Sequence, residues 1–238
     1  MKTVLITGGS RGIGKAMVEE FCSRGYRVAF TYKNSDAAAN ELARKLGALA
    51  IKADSEVAAD IERAVLTVTD ELGGVDILIN NAAVSSFSLF TDISLSLWEK
   101  TMNTSVTGAF LYSKAVLPHM INQKWGRIIN ISSVWGLVGS SCEVHYSTAK
   151  AAIEGFTKAL AKEVGPSGIT VNAIAPGVIK TDMNASLDEE TLRALADETP
   201  VGRIGEPCDV ARAALFLASE GASFITGEIM NLSGGFVV

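Results

Sequence analysis

Short apolar runs alternate with longer segments of helical periodicity along the whole chain. The runs that predict strands are residues 3–7, 27–32, 48–53, 75–80, 126–132, 169–174 and 228–232. The segments that predict helices are 13–24, 36–46, 56–72, 97–123, 146–165 and 207–219. Because strands that alternate with helices form right-handed crossovers, the pattern predicts an α/β fold, with a doubly wound, seven-stranded parallel sheet (a Rossmann fold) between two layers of helices.

Residues 183–200 interrupt this alternation with a short, polar segment that favours helix. Such an insertion is either an inert surface loop or a lid over a binding site. No linker, repeat or low-complexity run divides the sequence, so residues 1–238 are predicted to form a single domain.

Composition and charge narrow the classes of function. Hydrophobic residues make up 48% of the 238, with 22 glycines and five prolines, which is typical of a close-packed globular protein. The net charge of −5 argues against a nucleic-acid partner. No apolar run approaches the roughly twenty residues that span a bilayer, and the first residues do not resemble a signal peptide. We therefore expect no membrane partner and a cytoplasmic location.

Cysteine and histidine usage predicts no metal site. Cys22, Cys142 and Cys208 are widely spaced and odd in number, which indicates reduced thiols rather than disulfides. His119 and His145 need other ligands to hold a metal ion, and we interpret them as surface or helix-end residues.

A glycine-rich turn follows the first predicted strand. Residues Thr7 to Gly14 read TGGSRGIG and lead directly into a predicted helix. Glycines at such a junction let the backbone approach a pyrophosphate, whose charge is met by free N–H groups and the helix dipole. The turn therefore predicts a dinucleotide site.

Tyr146 and Lys150 lie four residues apart in a predicted helix and so share one face of it. The ordinary pKa of a phenol is about 10, and an ammonium beside it favours the phenolate. The hydroxyl of Ser133, at the end of a neighbouring strand, could hydrogen-bond the same substrate oxygen, whereas strand alternation directs Ser132 to the other face. This set suits proton transfer at a carbonyl or alcohol oxygen during hydride transfer. The alternative is a surface tyrosine with a solvated lysine.

Together these motifs resemble those of the short-chain dehydrogenases/reductases, and the resemblance runs from Met1 to Val238. The run Asn80–Ala83 is similar to the Asn-Asn-Ala-Gly motif of the family, with Ala83 in place of glycine. Pro176–Thr181 resembles the loop that caps the nicotinamide, and residues 183–200 lie where the family has its substrate lid.

The resemblance implies a set of site residues. The implied catalytic residues are Asn103, Ser133, Tyr146 and Lys150, with Asn103 holding a water behind the lysine. The implied dinucleotide-binding residues are Gly8, Ser10, Arg11, Gly12, Ile13, Gly14, Tyr32, Lys33, Asp54, Asn81, Ala82, Tyr146, Lys150, Pro176, Gly177, Ile179 and Thr181.

The preferred cofactor is predicted to be NADP(H). Members of the family that prefer NAD carry an aspartate at the place of Tyr32, and its absence removes the repulsion of a ribose 2′-phosphate. Arg11 and Lys33 could then pair with that phosphate. The alternative is that Lys33 is solvated and Arg11 contacts only backbone.

For the substrate, the general resemblance is to the 3-oxoacyl-acyl-carrier-protein reductases of fatty acid biosynthesis, carried by residues 167–172 and 200–205. It implies reduction of a 3-oxoacyl thioester, with acyl carrier protein as a possible partner. Residues 133–144 instead resemble the branch that reduces a 5-aminopentanone group on elongation factor P, where an acidic Glu143 would suit an amine. The alternative to a role in substrate binding is that Trp135 packs the loop and Glu143 is solvated.

Two further expectations concern catalysis and assembly. Members of the fold that bind a dinucleotide without turning it over typically lose the tyrosine or lysine, whereas both are present here. Members of the family are commonly homotetramers, paired through helices equivalent to 97–123 and 146–165 and through the C-terminal segment. The apolar ending Gly234–Val238 is consistent with burial against another subunit or against its own domain.

Overall fold

The computed structural model describes residues 1–181 and 188–237, and its centre is a seven-stranded sheet with strand order 3-2-1-4-5-6-7. Every neighbouring pair of strands is parallel. The strands are β1 (Thr3–Ile6), β2 (Arg27–Tyr32), β3 (Leu49–Lys52), β4 (Ile77–Asn80), β5 (Gly126–Ile131), β6 (Ile169–Pro176) and β7 (Ile229–Leu232). The predicted fold class is therefore confirmed.

Helices cover both faces of this sheet. They are α1 (Gly12–Ser23), α2 (Asp36–Leu46), α3 (Ala58–Leu72), α4 (Leu95–Met102), α5 (Gly108–Gln123), α6 (Val134–Val138), α7 (Val144–Val164), α8 (Glu189–Glu198) and α9 (Pro207–Ala218). The short helix α6 was not predicted, because its five residues are too few to show a period.

The helix predicted over residues 97–123 is divided in the structure. A single π-helical turn, Asn103–Thr107, separates α4 from α5. Such a turn inserts one extra residue into the helix without a proline or glycine signal, so hydrophobic periodicity alone does not reveal it.

Two hydrophobic clusters lie on opposite faces of the sheet, as the alternation of side chains along a strand requires. In β1, Val4 and Ile6 belong to the cluster under α1 and α9, whereas Leu5 belongs to the cluster under α3, α5 and α7. Both clusters are built mainly from buried apolar side chains, so the central strand β1 is buried on both faces.

The chain reverses its direction of winding between β1 and β4, which are adjacent in the sheet although two strands separate them in sequence. In open α/β sheets the crevice at this switch point, beyond the carboxyl ends of the strands, is where ligands bind. The glycine-rich turn follows β1 and the Asn81 segment follows β4, so both lie at this crevice.

A buried network of polar side chains joins β4 and β5 to α7. Asn80 donates to Asn130 at 2.9 Å, and Asn130 donates to Thr157 at 2.8 Å, with all three side chains buried. Thr157 in turn donates to the carbonyl of Ile153 at 2.8 Å. The network fixes α7, which carries Tyr146 and Lys150, against the middle of the sheet.

The predicted lid is described only in part. Residues 183–187 lie outside the described residues. The remainder contains α8, and Asp188 caps its N-terminus by accepting from the N–H of Thr191 at 2.8 Å.

Among the helices that the structure describes, none combines the length and the apolar composition of a membrane span. Within residues 1–181 and 188–237 no histidine, cysteine and carboxylate cluster could hold a metal ion, and the cysteines are unpaired.

We expect Asn130→Leu to lower the free energy of unfolding by about 2 kcal/mol, because the buried amide of Asn80 loses an acceptor and the buried hydroxyl of Thr157 loses a donor. Urea denaturation measures the change. The matched control, Asn40→Leu on the exposed face of α2, should change stability by less than about 0.5 kcal/mol. Equal effects of the two substitutions would contradict the role given to the network.

Candidate active site

The glycine-rich turn is shaped by close backbone contacts. Gly8 and Gly12 have φ of +67° and +52°, a region that favours glycine. A side chain at Gly14 would overlap the carbonyl oxygen of Gly8. The backbone of the turn therefore stays bare, with the N-terminus of α1 directed to the crevice, as binding of a pyrophosphate requires.

The turn is tied to the segment that follows β4. The hydroxyl of Thr7 accepts from the N–H groups of Asn81 and Ala82, each at 2.9 Å. The Asn81 side chain donates back to the carbonyl oxygens of Thr7 at 2.8 Å and Gly8 at 3.2 Å. Two predicted binding segments from distant parts of the sequence thus form one rigid wall of the crevice.

Lys150 is buried, with 3% of its surface exposed, and its ammonium donates to the carbonyl oxygen of Ile131 at 2.7 Å. The same nitrogen lies 5.4 Å from the centre of the Tyr146 ring. Burial lowers the pKa of Lys150 to about 8. The predicted pairing of these two residues on one helix face is therefore present.

Tyr146 is kept in its protonated form. Desolvation raises the pKa of its hydroxyl to about 12, a hydrogen bond with Ser133 acts to lower the pKa, and the negative charge of Glu143 raises it. The direction is opposite to the acidification that the sequence predicts, because burial dominates and the ammonium of Lys150 is directed to Ile131. With its proton in place, the phenol can donate a hydrogen bond or a proton.

Ser133 and Ser132 are separated in the way that strand alternation predicts. The hydroxyl of Ser133 accepts from the N–H of Trp135 at 3.2 Å and forms the N-cap of α6, beside Tyr146. The hydroxyl of Ser132 is directed away, and donates to Glu154 at 2.8 Å.

Asn103 begins the π-helical turn between α4 and α5. Its side chain is exposed and accepts from the hydroxyl of Thr107 at 3.3 Å. Within the described part of the chain no hydrogen bond joins it to the other three predicted catalytic residues, although the turn packs against α7. π-helical turns occur frequently at functional sites.

The two cations predicted to bind a phosphate at the adenosine end, Lys33 and Arg11, differ in their ion-pair partners. Lys33 forms ion pairs with Asp54 at 2.6 Å and Glu56 at 2.7 Å, so it is not simply solvated. Arg11 is exposed in the glycine-rich turn, and no described acidic side chain forms a salt bridge with it. Of the two predicted phosphate ligands, Arg11 has the more accessible charge.

A carboxylate also lies near the end of β2, although none occurs in the strand itself. The buried Tyr32 donates through its hydroxyl to Asp36 at 3.3 Å, and Asp36 pairs with Lys52 at 2.9 Å. Lys52 therefore neutralises the carboxylate nearest to Tyr32.

The predicted nicotinamide loop lies across the crevice from the glycine-rich turn. Pro176 ends β6, and the N–H of Gly177 donates to the carbonyl of Leu232 at 3.0 Å. A Cβ at Gly12 would lie 3.5 Å from Thr181, so this loop approaches the turn closely. The remaining predicted contacts are Ser10, half-buried in the turn, Ile13, packed on the core beneath α1, and Ile179, buried and bridged to Gly205.

Glu143 is buried rather than solvated, and accepts from the hydroxyl of Ser85 at 2.6 Å. His145, in the first turn of α7, is fully buried rather than on the surface, with its Nε2 3.2 Å from the hydroxyl of Ser86. Ser85 and Ser86 could not be identified from the sequence alone, since each contacts a residue almost sixty positions away in the chain.

Trp135 has a packing role, as the alternative interpretation of this loop predicts. Its ring meets that of Phe236 edge to face, with the ring centres 6.0 Å apart. The contact joins the segment after Ser133 to the C-terminal segment of the same chain, so packing on its own domain accounts for that apolar residue.

Comparison with known proteins agrees with this geometry. A family model described as enoyl-(acyl carrier protein) reductase matches residues 8–237. The chain is 44% identical to 3-oxoacyl-acyl-carrier-protein reductase FabG of Aquifex aeolicus and 42% identical to that of Vibrio cholerae, each over 98% of this chain and 96% of the relative. It is 40% identical to acetoacetyl-CoA reductase of Shinella zoogloeoides, over 98% of both chains.

The motifs, the sheet topology and these matches agree over nearly the whole sequence. The chain belongs to the short-chain dehydrogenase/reductase family of oxidoreductases.

Proposed function

We propose that the protein reduces a 3-oxoacyl thioester, carried by acyl carrier protein, to the 3-hydroxyacyl thioester with NADPH. The observation that carries the proposal is that three side chains meet: the phenol of Tyr146 interacts with Ser133, and the buried ammonium of Lys150 lies 5.4 Å from the centre of the phenol ring. Relatives named as reductases of 3-oxoacyl-acyl carrier protein and of acetoacetyl-CoA support the substrate class.

The residues of the crevice fit a nicotinamide dinucleotide. The bare backbone at Gly14 and the α1 N-terminus suit its pyrophosphate, and the Thr181 segment faces them. When bound, the reduced dinucleotide supplies the hydride. Ser133 and Tyr146 orient the carbonyl oxygen, Tyr146 donates the proton, and Lys150 stabilises the resulting phenolate.

Reduction of a carbonyl is favoured over reduction of a carbon–carbon double bond, which the description of the family model names. The hydroxyls of Ser133 and Tyr146 lie next to each other, so we infer that both can donate to one substrate oxygen, and a developing alkoxide needs such donors. The three relatives cited above are named as reductases of 3-oxoacyl-acyl carrier protein or acetoacetyl-CoA, substrates in which the reducible group is a ketone.

The alternative substrate, a 5-aminopentanone group on elongation factor P, is not favoured by these relatives. The acidic residue that motivated it, Glu143, is hydrogen-bonded to Ser85. A non-catalytic role is not favoured either, because the predicted catalytic tyrosine, lysine and serine are brought together.

We infer NADPH rather than NADH from the adenosine end. Arg11 offers an accessible guanidinium for a 2′-phosphate, and Lys52 neutralises the carboxylate near Tyr32. Lys33 would have to share its ammonium between the phosphate and its present partners.

The water-holding role of Asn103, gating by residues 183–200, a homotetrameric assembly and a cytoplasmic location remain predictions. They rest on the resemblance to the family.

We expect the purified protein to oxidise NADPH with an acetoacetyl thioester, and Tyr146→Phe to lower kcat by about 10²–10⁴ with little change in the Kd of NADPH, because only proton donation is lost. Spectrophotometric assay and fluorescence titration measure the two quantities. An enoyl thioester serves as the comparison substrate. A rate that is higher with the enoyl thioester, or normal turnover by the variant, would refute the proposal.

For the cofactor, we expect Arg11→Ala to raise the Kd of NADPH about 10- to 100-fold, the effect of losing one charge-assisted contact to the phosphate. The Kd of NADH should stay nearly unchanged. Lys33→Ala should have a smaller effect, since its ammonium is shared with Asp54 and Glu56. A wild-type protein that binds NADH as tightly as NADPH would contradict the inference.

The pH dependence follows from Lys150. Because its pKa is lowered to about 8, its positive charge is lost as the pH rises through that value, while the phenol with a pKa of about 12 stays protonated. We expect kcat/KM for reduction to fall as the pH rises through about 8. The residual activity of Lys150→Arg should lack this fall, and the exposed control Lys162→Arg on α7 should keep it. A fall that persists in Lys150→Arg would assign it to another group.

A further inference from the structure

Glu154 lies on α7, four residues after Lys150, and is buried with 7% of its surface exposed. Its Oε1 accepts from the hydroxyl of Ser132 at 2.8 Å. The same hydroxyl lies 3.3 Å from the carbonyl oxygen of Lys150. One side-chain contact thus joins the residue before Ser133 to the turn of α7 that carries Lys150.

Gly136, on the other side of Ser133 in sequence, also lies close to α7. A Cβ at Gly136 would lie 2.6 Å from Oε1 of Glu154, 2.9 Å from the carbonyl carbon of Lys150 and 3.0 Å from the hydroxyl of Ser132. Distances below 3.0 Å leave no room for a side chain. The segment Ser132–Gly136 is therefore held directly on α7, without intervening atoms.

Burying the carboxylate of Glu154 costs desolvation free energy. Burial raises the pKa of Glu154, while the hydrogen bond from Ser132 and the positive charge of Lys158 act to lower it. An apolar side chain of similar size commonly stabilises a buried position as well as or better than a charged one. What the carboxylate adds is a directional bond to Ser132.

We propose that Glu154 is a positioning residue for carbonyl reduction: with Ser132 and Gly136 it forms a clamp that holds Ser133 at the correct distance from Tyr146 and Lys150. The inference rests on the proposed function. The clamp residues lie on both sides of Ser133 in sequence, so a shift of the segment on α7 moves the Ser133 hydroxyl. A misplacement of about 1 Å in an active site can lower the rate about 100-fold.

The test uses the full chain in the NADPH assay with an acetoacetyl thioester. We expect Glu154→Ala and Ser132→Ala each to lower kcat about 10- to 100-fold, with small changes in KM for the thioester and in Kd for NADPH. Glu154→Gln should recover most of the rate, because its amide oxygen still accepts from Ser132. The double variant should be no slower than the slower single variant, since both remove the same contact.

Two further variants separate positioning from general stability. Glu163→Ala removes an exposed carboxylate from the same helix and should leave kcat unchanged. Gly136→Ala should lower kcat without removing any polar group, because its methyl group pushes the segment off α7. If Glu154→Ala fails to fold, Ser132→Ala and Gly136→Ala carry the test, since both leave the carboxylate in place.

The clamp is refuted if Ser132→Ala and Gly136→Ala keep the wild-type kcat, if Glu154→Gln is as slow as a folded Glu154→Ala, or if the two losses add in the double variant. A wild-type protein without activity on any 3-oxoacyl thioester would instead refute the proposed function. The two failures are therefore distinguishable.

Discussion

Parallel pairing of all the strands is the constraint on which the site depends, because it places every carboxyl end at one edge of the sheet. The glycine-rich turn, the Asn81 segment, Ser133 and the Thr181 loop each follow a different strand, yet they face one crevice. Antiparallel pairing of any one of these strands would send its following segment to the opposite edge. The strand topology therefore brings these four segments to one crevice, whatever side chains they carry.

Burial controls the electrostatics of α7. Its first turns carry a lysine whose pKa burial lowers and a tyrosine whose pKa burial raises, so both groups shift towards their neutral forms. The carbonyl of Ile131 offers the ammonium a hydrogen-bond acceptor without a competing negative charge. The phenol therefore keeps its proton, while Lys150 keeps its positive charge below a pH of about 8, and donation to a carbonyl needs both conditions.

What could be predicted from the sequence follows from the range of the interactions involved. Tyr146 and Lys150 are four residues apart, so helix geometry alone pairs them, and glycines between a strand and a helix give the turn its own signal. The contacts of Lys33 with Asp54 and Glu56, and of Ser132 with Glu154, join residues far apart in sequence and need the fold to be known. The sign of the pKa shift of Tyr146 was missed for the same reason, since desolvation depends on atoms from several elements.

The π-helical turn at Asn103–Thr107 has a consequence for the two helices that it joins. One added residue rotates everything before it by about 100° around the helix axis relative to everything after it. As a result α5 directs its apolar stripe to α3 and the sheet, while α4 contacts α7 instead. A continuous helix would direct one apolar stripe along its whole length, whereas the π-helical turn lets α4 and α5 pack against different neighbours.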